Sequence, residues 1–594
     1  MRKFLPAAAV ALCGLAIMAC LLLDCWKKEN IRNIINSDGR GYYAYLPSLF
    51  LFKDISYQKA IAQEREVKGD PGYAPAYLLT YKNRPYNKYF AGVAVLLLPF
   101  FLLATAISHL FGLAANGYND VYQASVSIAA LFYLSIGLLW LGRLLKSFSI
   151  PDTICAAVLL FFCLGTNLFF YSVWAPALSH VYSFWAINGF MLFSRKFFLQ
   201  PSKKFFLLSA ALFAIIVLIR PVNGIAILLL PFAAGNIQLL KSGFTYITSQ
   251  KNTLLTGAAI SFIIIFLQPL LWFLQTGNWL LWSYAGEGFY FSRPEISNVL
   301  FSYRKGLFVY TPLAFVSLAG LYFMYQHSRL QFASILILLA ILTYIIAAWW
   351  CWYYGNSFGH RAFIDFYGVF ALLLGLLLYG FRKNFYRSLL ATLCTLCLAL
   401  NLIQTYQYRY VILHHFDMNK EKYWYVFLET GDEDKNVLSG NNEAAPFGKI
   451  SEKPVFSVYN EFSAESNKAE NAVLLMNENK QFGGSVEIAN GNLLKYTQLY
   501  VKIKLDKQEP NPKAMDHAFL AASIDSAAGG NYYWESFRLN DMPHQDTHEW
   551  RTINYSFALP AIRQNADVIK FYIYNPNGKI FIIDNMQVEV FGIE

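Results

Sequence analysis

About eleven apolar stretches recur through the first two thirds of this chain, near 4–23, 120–142, 153–171, 176–194, 205–220, 223–240, 254–275, 306–324, 331–349, 363–380 and 388–407. Each approaches the roughly 20 residues that a helix needs to cross a bilayer. In hydrocarbon every backbone polar group must be satisfied internally, so runs of this length can only be helices. The expectation is an α-helical polytopic membrane domain over 1–410. Charged residues make up 14% of the chain, against about 25% in ordinary soluble domains. The deficit lies before residue 410; the remainder reads as water-soluble protein.

The loops orient the spans. Arg143/Lys146, Arg195/Lys196/Lys203/Lys204, Lys241/Lys251, Arg329 and Arg382/Lys383/Arg387 share a side with Arg2 and Lys3 if the apolar stretch 90–111 does not cross. Basic loops favour the cytoplasmic side. This places 90–111 in a first outer loop, 24–119, as a re-entrant or interfacial element. The N-terminus is then cytoplasmic and everything after the last span extracytoplasmic, with Met1–Leu23 kept as an uncleaved first helix. The net charge of +11 follows from these loops; no basic stripe or recognition motif points to nucleic acid. All eight cysteines precede residue 400, so the C-terminal region owes nothing to disulfides. Cys394 and Cys397, inside an apolar run, read as helix packing.

From about 445 the pattern changes to period two: Ser485–Ile488, Leu499–Leu505, Ile553–Phe557, Val568–Tyr574 and Ile580–Asp584. Alternation with β-branched and aromatic residues marks half-buried strands. Asn490-Gly491, Gly529-Gly530-Asn531 and Asn575-Pro576-Asn577-Gly578 supply turns. A linker over 411–444 and an all-β, jelly-roll-like sandwich over 445–594 follow. The ending Ile583-Asp-Asn-Met-Gln-Val-Glu-Val resembles the last strand of jelly-roll carbohydrate-binding modules, and the sandwich is either structural or sugar-binding.

Candidate chemistry gathers in the outer loops. Asp38-Gly39-Arg40-Gly41-Tyr42-Tyr43 follows the first span closely, so Asp38 lies near the membrane surface, and Gly39 and Gly41 allow a tight backbone there. A carboxylate so placed can act on a lipid-linked phosphate substrate as a base or through a metal; equally, it can cap a turn before an aromatic belt. Arg220, in Ile219-Arg220-Pro221-Val222-Asn223, falls between two apolar runs, where an unpaired charge is costly, unless it snorkels to the surface. Trp349–Asp365 contains Trp352, Tyr354, His360, Arg361 and Asp365. An interfacial belt accounts for its aromatic residues but not for His-Arg-Ala-Phe-Ile-Asp. Ser179-His180 opens another helix, while the loop 276–305 carries Glu287, Arg304 and Lys305. Guanidinium forks suit phosphate oxygens, so Arg40, Arg220, Arg304, Lys305 and Arg361 are candidate phosphate ligands. Tyr42, Tyr43, His180, Glu287, Trp352, Tyr354, His360 and Asp365 are candidates for the substrate or acceptor. Walker loops, dinucleotide fingerprints and HExxH pairs are missing from the sequence.

An acidic residue soon after the first helix, aromatic outer loops and many spans resemble the GT-C glycosyltransferases, in particular the bacterial relatives of protein mannosyltransferases and aminoarabinose transferases. Asp38-Gly-Arg-Gly-Tyr-Tyr, Ser179-His180, Arg220-Pro221 and Trp349–Asp365 carry that resemblance over roughly 1–410. It implies transfer of a sugar, with inversion, from a polyprenyl-phosphate carrier to an extracytoplasmic glycan, lipid or protein, with Asp38 as the base. Many members carry two acidic residues in this loop; here Gly39 follows Asp38, which puts a divalent metal ion in doubt. The alternatives are a transporter or flippase for a lipid-linked glycan and a glycan-binding membrane scaffold.

Overall fold

The computed structural model describes residues 4–68, 75–440, 450–460, 462, 473–489, 491–509, 518–527, 529–540, 542 and 549–593. The chain divides into two compact units. One is helical and runs to Thr405; the other comprises Tyr406–Glu594 with the short pieces Gly286–Gly288 and Gly355–Ser357.

The helical unit is built around α1 (Leu5–Cys20, carried on to Cys25), α2 (Asp38–Leu46), α3 (Gly92–Leu110), α4 (Asp120–Lys146), α5 (His180–Leu199), α6 (Lys203–Ile219), α7 (Lys251–Thr276), α8 (Arg329–Ala348), α9 (Tyr367–Gly380) and α10 (Asn384–Arg409). Among the described residues, seven helices are long and apolar enough to cross a membrane. They are α1, α3, α4, α7, α8, the turn-plus-helix Arg361–Gly380, and α10. An eighth span results if the pair Pro221–Ala234 and Ile237–Ser249, bent by 115°, is counted as one.

That count differs from the eleven expected: proline and glycine interrupt three apolar runs that hydropathy alone reads as continuous, and the unbroken helices His180–Leu199 and Lys203–Ile219 fall outside the count. The stretch 306–324 is divided into Leu307–Tyr310, Pro312–Leu318 and Gly320–His327. At Gly320 an added Cβ would lie 2.0 Å from the Leu373 carbonyl oxygen. The run 153–171 breaks at Gly165 between Asp152–Leu164 and Leu168–Val173. The bend after Ala234 uses Gly235 at φ 84° and Asn236, whose side chain caps the next helix by accepting from Leu239 N. The stretch expected to be re-entrant or interfacial forms one unbroken helix, α3, with Pro99 inside it. If α3 crosses, Arg143 and Lys146 fall on the side opposite Arg2 and Lys3, so the shared side expected from the sequence requires α3 to lie in the outer loop without crossing.

The first outer loop is a folded piece of protein. A hairpin of β1 (Leu78–Tyr81) and β2 (Arg84–Asn87) turns through Lys82 and Asn83, both at positive φ, as a two-residue loop matched to strand twist requires. It delivers Asn87, whose Nδ2 donates to the Gly41 carbonyl at 2.7 Å, and Tyr89, whose carbonyl accepts from the Tyr45 hydroxyl at 2.6 Å. Tyr43 donates to the Gly117 carbonyl at 2.6 Å. α2 is thus pinned on several sides. Its two glycines sit where no side chain fits: a Cβ on Gly39 would lie 2.5 Å from the Ala177 Cβ, and one on Gly41 2.2 Å from Tyr89 Cδ2.

The second unit is an antiparallel two-sheet sandwich. One sheet has the order β5-β10-β7-β8; the other is β3-β11-β6-β9, with β4 also on β11. These strands are β3 (Phe456–Asn460), β4 (Leu474–Met476), β5 (Phe482–Ile488), β6 (Gln498–Gln508), β7 (Phe519–Asp525), β8 (Asn531–Arg538), β9 (Arg551–Pro560), β10 (Val568–Tyr574) and β11 (Phe581–Ile593). Alternate residues such as Ile503, Leu505, Ile524, Phe557, Phe571 and Val588 form its core. Gly529-Gly530 makes the β7–β8 turn at positive φ, whereas 575–578 carries the chain between sheets. Asn490 lies outside the described residues; Gly491–Lys495 is a 3-10 turn passing from one sheet to the other. The last strand bulges at Asn585-Met586, just after Asp584, with Asn585 donating to Asp506 Oδ2 at 2.9 Å and accepting from the Tyr459 hydroxyl at 2.6 Å.

The expected linker is folded in its described part, 411–440. It holds a short helix, Lys420–Tyr425, capped by Asn419, and the Lys422 ammonium is buried against the Ser439 carbonyl at 2.8 Å. Gln407 Nε2 meets the Glu429 carbonyl at 2.9 Å. The segment groups with the sandwich in one unit, and these polar groups are satisfied within the segment itself.

The glycine contacts on α2 set an expected cost. Gly39→Ala and Gly41→Ala should each destabilise the protein by on the order of 1–3 kcal/mol through overpacking. Gly14→Ala, whose added Cβ finds only an ordinary contact at 3.9 Å, should be neutral. Thermal unfolding in detergent compares the three; equal midpoints would remove the packing account of this loop.

Candidate functional site

Three helix ends and two 3-10 segments bring six polar groups together in the helical unit. Pro following Arg220 disfavours helix at the arginine, so α6 stops there and Arg220 is extended (φ −150°, ψ 111°). α5 begins with His180 and α2 with Asp38, behind Ser37 at φ 47°. The 3-10 turn Arg361–Phe366 precedes α9 and carries both Arg361 and Asp365.

Asp365 is fully buried and both its oxygens are used. Oδ1 accepts from His180 Nδ1 at 2.8 Å; Oδ2 accepts from Arg220 Nη1 at 3.0 Å and Asn223 Nδ2 at 2.7 Å. A carboxylate only accepts, so the His180 proton sits on Nδ1. Asp38 is paired differently. Oδ2 accepts from Arg361 Nη2 at 2.8 Å and Oδ1 from the Tyr89 hydroxyl at 2.7 Å. The Asp38 side chain is 28% exposed, against 0% for Asp365 and 11% for Arg361. Tyr354, at φ 56°, places its ring 6.0 Å from the guanidinium carbons of both Arg220 and Arg361. Tyr42 stacks on Tyr89 at 4.7 Å. The result is two acid–arginine pairs, one sealed and one reachable.

Burial pushes the Asp38 carboxyl up, but the Arg361 charge, the Tyr89 hydrogen bond and the nearby Lys88 outweigh it and hold the group below the ordinary carboxylate range. Burial raises the Tyr89 phenol and the Asp38 charge adds to that. Tyr89 therefore stays a donor to Asp38.

Other sequence candidates lie elsewhere or serve the scaffold. Arg40 pairs with buried Glu64, Nε to Oε1 at 3.3 Å. Tyr43 is core, between Phe101 and Tyr118. His360 ties its loop by donating from Nε2 to the Trp352 carbonyl at 2.9 Å, packs on Tyr354 and Phe363, and is pushed down to about 3 by burial. Trp352 contributes that carbonyl and an edge contact with Tyr353. Arg304 lies over the Tyr353 ring at 3.7 Å. Lys305, expected to meet lipid phosphate, is instead buried, 1% exposed. Glu287 groups with the second unit. Sequence reasoning missed Tyr89, which carries no local signal, and Asn223, which stands three residues from Arg220 and was legible there. Among the described residues no cluster of three or more His, Cys, Asp or Glu can hold a metal ion. Both site carboxylates already have arginine partners, so these residues do not fit a divalent cation.

No protein-family model and no curated protein matches this chain. Solved structures do. The oligosaccharyltransferase AglB of Archaeoglobus fulgidus, in complex with an inhibitory peptide and a dolichol-phosphate, matches at 11% identity and TM-score 0.39, covering 75% of this chain and 62% of its own. The apo form of an oligosaccharyltransferase from the same organism matches at 12% and 0.38, over 75% and 62%. The arabinosyltransferase EmbB of Mycobacterium smegmatis matches at 11% and 0.36, covering 99% of this chain and 64% of its own. This chain thus spans under two thirds of the length of each, and likeness at these scores decides nothing about its chemistry.

Two expectations follow from the site. Asp365→Ala strands Arg220 in a buried position and should cost about 3–5 kcal/mol, far more than Asp38→Asn, which keeps an acceptor in a partly wet place. Comparable losses in unfolding midpoint would contradict the sealed-versus-reachable distinction. Because the folded Asp38 carboxyl is depressed, its pairing energy is complete above the unfolded value of about 3.9 and falls away as pH drops towards the folded value. The stability difference between wild type and Asp38→Asn should be flat from pH 5 to 8 and shrink only below about pH 4.

Proposed function

We propose that this chain is a GT-C-like membrane glycosyltransferase that moves a sugar from a polyprenyl-phosphate donor to an extracytoplasmic acceptor. The acceptor classes in view are a glycan, a lipid or a protein. The observation that carries the reading is a reachable carboxylate, Asp38, paired with Arg361 beside a second guanidinium, Arg220, that Asp365 holds, in an otherwise buried site among helices long enough to span a membrane. Arginine in such surroundings is kept for anions, and a lipid-borne phosphate arrives from the apolar side.

In this mechanism the acceptor hydroxyl or amine loses its proton to Asp38 Oδ2 as its heteroatom bonds to the anomeric carbon. The anomeric C–O bond to phosphate breaks on the opposite face, and its electron pair goes to the phosphate oxygen. The configuration inverts. Arg220, fixed by Asp365, supplies standing positive charge for the departing phosphate; Tyr42 and Tyr354 supply faces against which a sugar can stack. With α3 lying in the outer loop without crossing, the basic loops support a bacterial inner-membrane protein with a cytoplasmic N-terminus and a periplasmic sandwich.

Purified protein in lipid, given radiolabelled polyprenyl-phosphate sugars and a cell-envelope extract, tests the reading. Label should move into the extract with wild type and fall by about 10²–10⁴-fold in Asp38→Asn, the usual worth of a general base. Undiminished transfer in that variant would remove Asp38 from the chemistry. Movement of intact donor across the bilayer without transfer would favour a transporter.

A further inference from the structure

The Arg361 guanidinium has spare capacity. Nη2 is spent on Asp38 Oδ2, while Nε is buried and has no hydrogen-bond partner among the described residues, although the residue is only 9% exposed. Buried N–H groups are normally paired, so an unpartnered one beside a partly open carboxylate marks a place for an incoming acceptor. Arg220 is different: it is held by Asp365, which is itself clamped by His180 and Asn223. Asp38 has a second support that does not depend on Arg361. Tyr89 holds Oδ1, and Gly39 seats the start of α2 against Ala177.

We propose that Arg361 is shared between Asp38 and the donor's phosphate, so that binding of the lipid phosphate releases the base. This rests on the functional reading above and concerns how that site is regulated. At rest Asp38 is an ion-paired, weak base. A phosphodiester offers Arg361 a competing anion, with oxygens that can take both Nε–H and an Nη–H as a fork. When the anomeric C–O bond breaks, the diester becomes a monoester and gains negative charge. The pull on Arg361 therefore grows as Asp38 receives the acceptor's proton, and after transfer that proton can pass to the phosphate or to water. Tyr89 keeps the carboxylate in place once Arg361 has turned away. The other charged or titratable groups facing Asp38 are Lys88, Tyr42 and, beyond Tyr42, Arg220. Without donor, acceptor and water meet only the paired, weak base.

Competition predicts an effect of unusual sign. In the full-length protein reconstituted in nanodiscs, binding of a polyprenyl monophosphate is measured for wild type, Asp38→Asn, Asp38→Ser and Arg361→Gln, with inorganic phosphate as a second arm. Removing the competing carboxylate should tighten lipid-phosphate binding by about tenfold or more in both Asp38 variants, because Arg361 is then wholly available. Arg361→Gln should weaken binding, and adding Asp38→Asn to it should restore nothing. Tightening in the lipid arm alone identifies the carrier, and tightening in both arms identifies phosphate in general as the competitor. If both Asp38 variants, folded by unfolding midpoint, bind no tighter than wild type while Arg361→Gln binds worse, the sharing is overturned and the functional reading stands. If polyprenyl phosphate binds neither wild type nor the variants, both fall.

Discussion

A guanidinium removed from water must find an anion, and the helical unit is arranged around two that do. Arg220 is forced out of its helix by Pro221 and would be stranded among apolar runs without Asp365. Asp365 in turn would be an expensive buried carboxylate without Arg220, His180 and Asn223. Such a network joins α5, α6, the bent segment after it and the turn before α9, elements far apart in the sequence. The geometry of Arg361 is inherited from it, because Arg361 and Asp365 lie on the same short 3-10 helix. One carboxylate holds the frame; the other, Asp38, is held against it and keeps access to solvent.

The approach of Asp38 to that frame depends on absence of side chains more than on attraction. Gly39 and Gly41 let α2 come within contact distance of Ala177, Tyr77 and Tyr89, and the β1–β2 hairpin then brings Tyr89 onto the carboxylate. A loop of this length in a membrane protein could have been a solvated strap. Instead its tyrosines bond backbone carbonyls, and the whole segment behaves as a small wall on one side of the site. Positioning a carboxylate on a packed helix start, with a phenol on one oxygen and a guanidinium on the other, removes the conformational freedom that a surface aspartate would have.

The sandwich owes its order to a different rule. Its strands alternate between a shared core and water, and its turns use glycine and asparagine where the chain needs positive φ. The Asp584-Asn585 pair, which resembled a motif of sugar-binding modules, stands at a bulge where Asn585 ties β11 to Asp506 and Tyr459, a role that asks nothing of a ligand.

Local order was legible in the sequence. Apolar length announced the helices and period-two alternation announced β5, β6, β9, β10 and β11, because both signals depend on neighbours along the chain. Asp38, Arg220, His180, Arg361 and Asp365 stood out singly, since charge and polarity beside apolar runs are costly wherever they fall. Their partnership did not, and Tyr89 was invisible altogether, because a tyrosine in an aromatic-rich loop carries no mark of the carboxylate it will meet. Hydropathy could not see that Gly165, Thr311-Pro312 and Gly235 break apolar runs, or that the stretch 90–111 stays whole. Nor could it show that Lys305 is buried while Asp38 is reachable. The sequence by itself determined which segments must leave water and which residues could not stay alone there; only the tertiary structure decided which of them met, because pairing is a property of packing between segments and not of order along the chain.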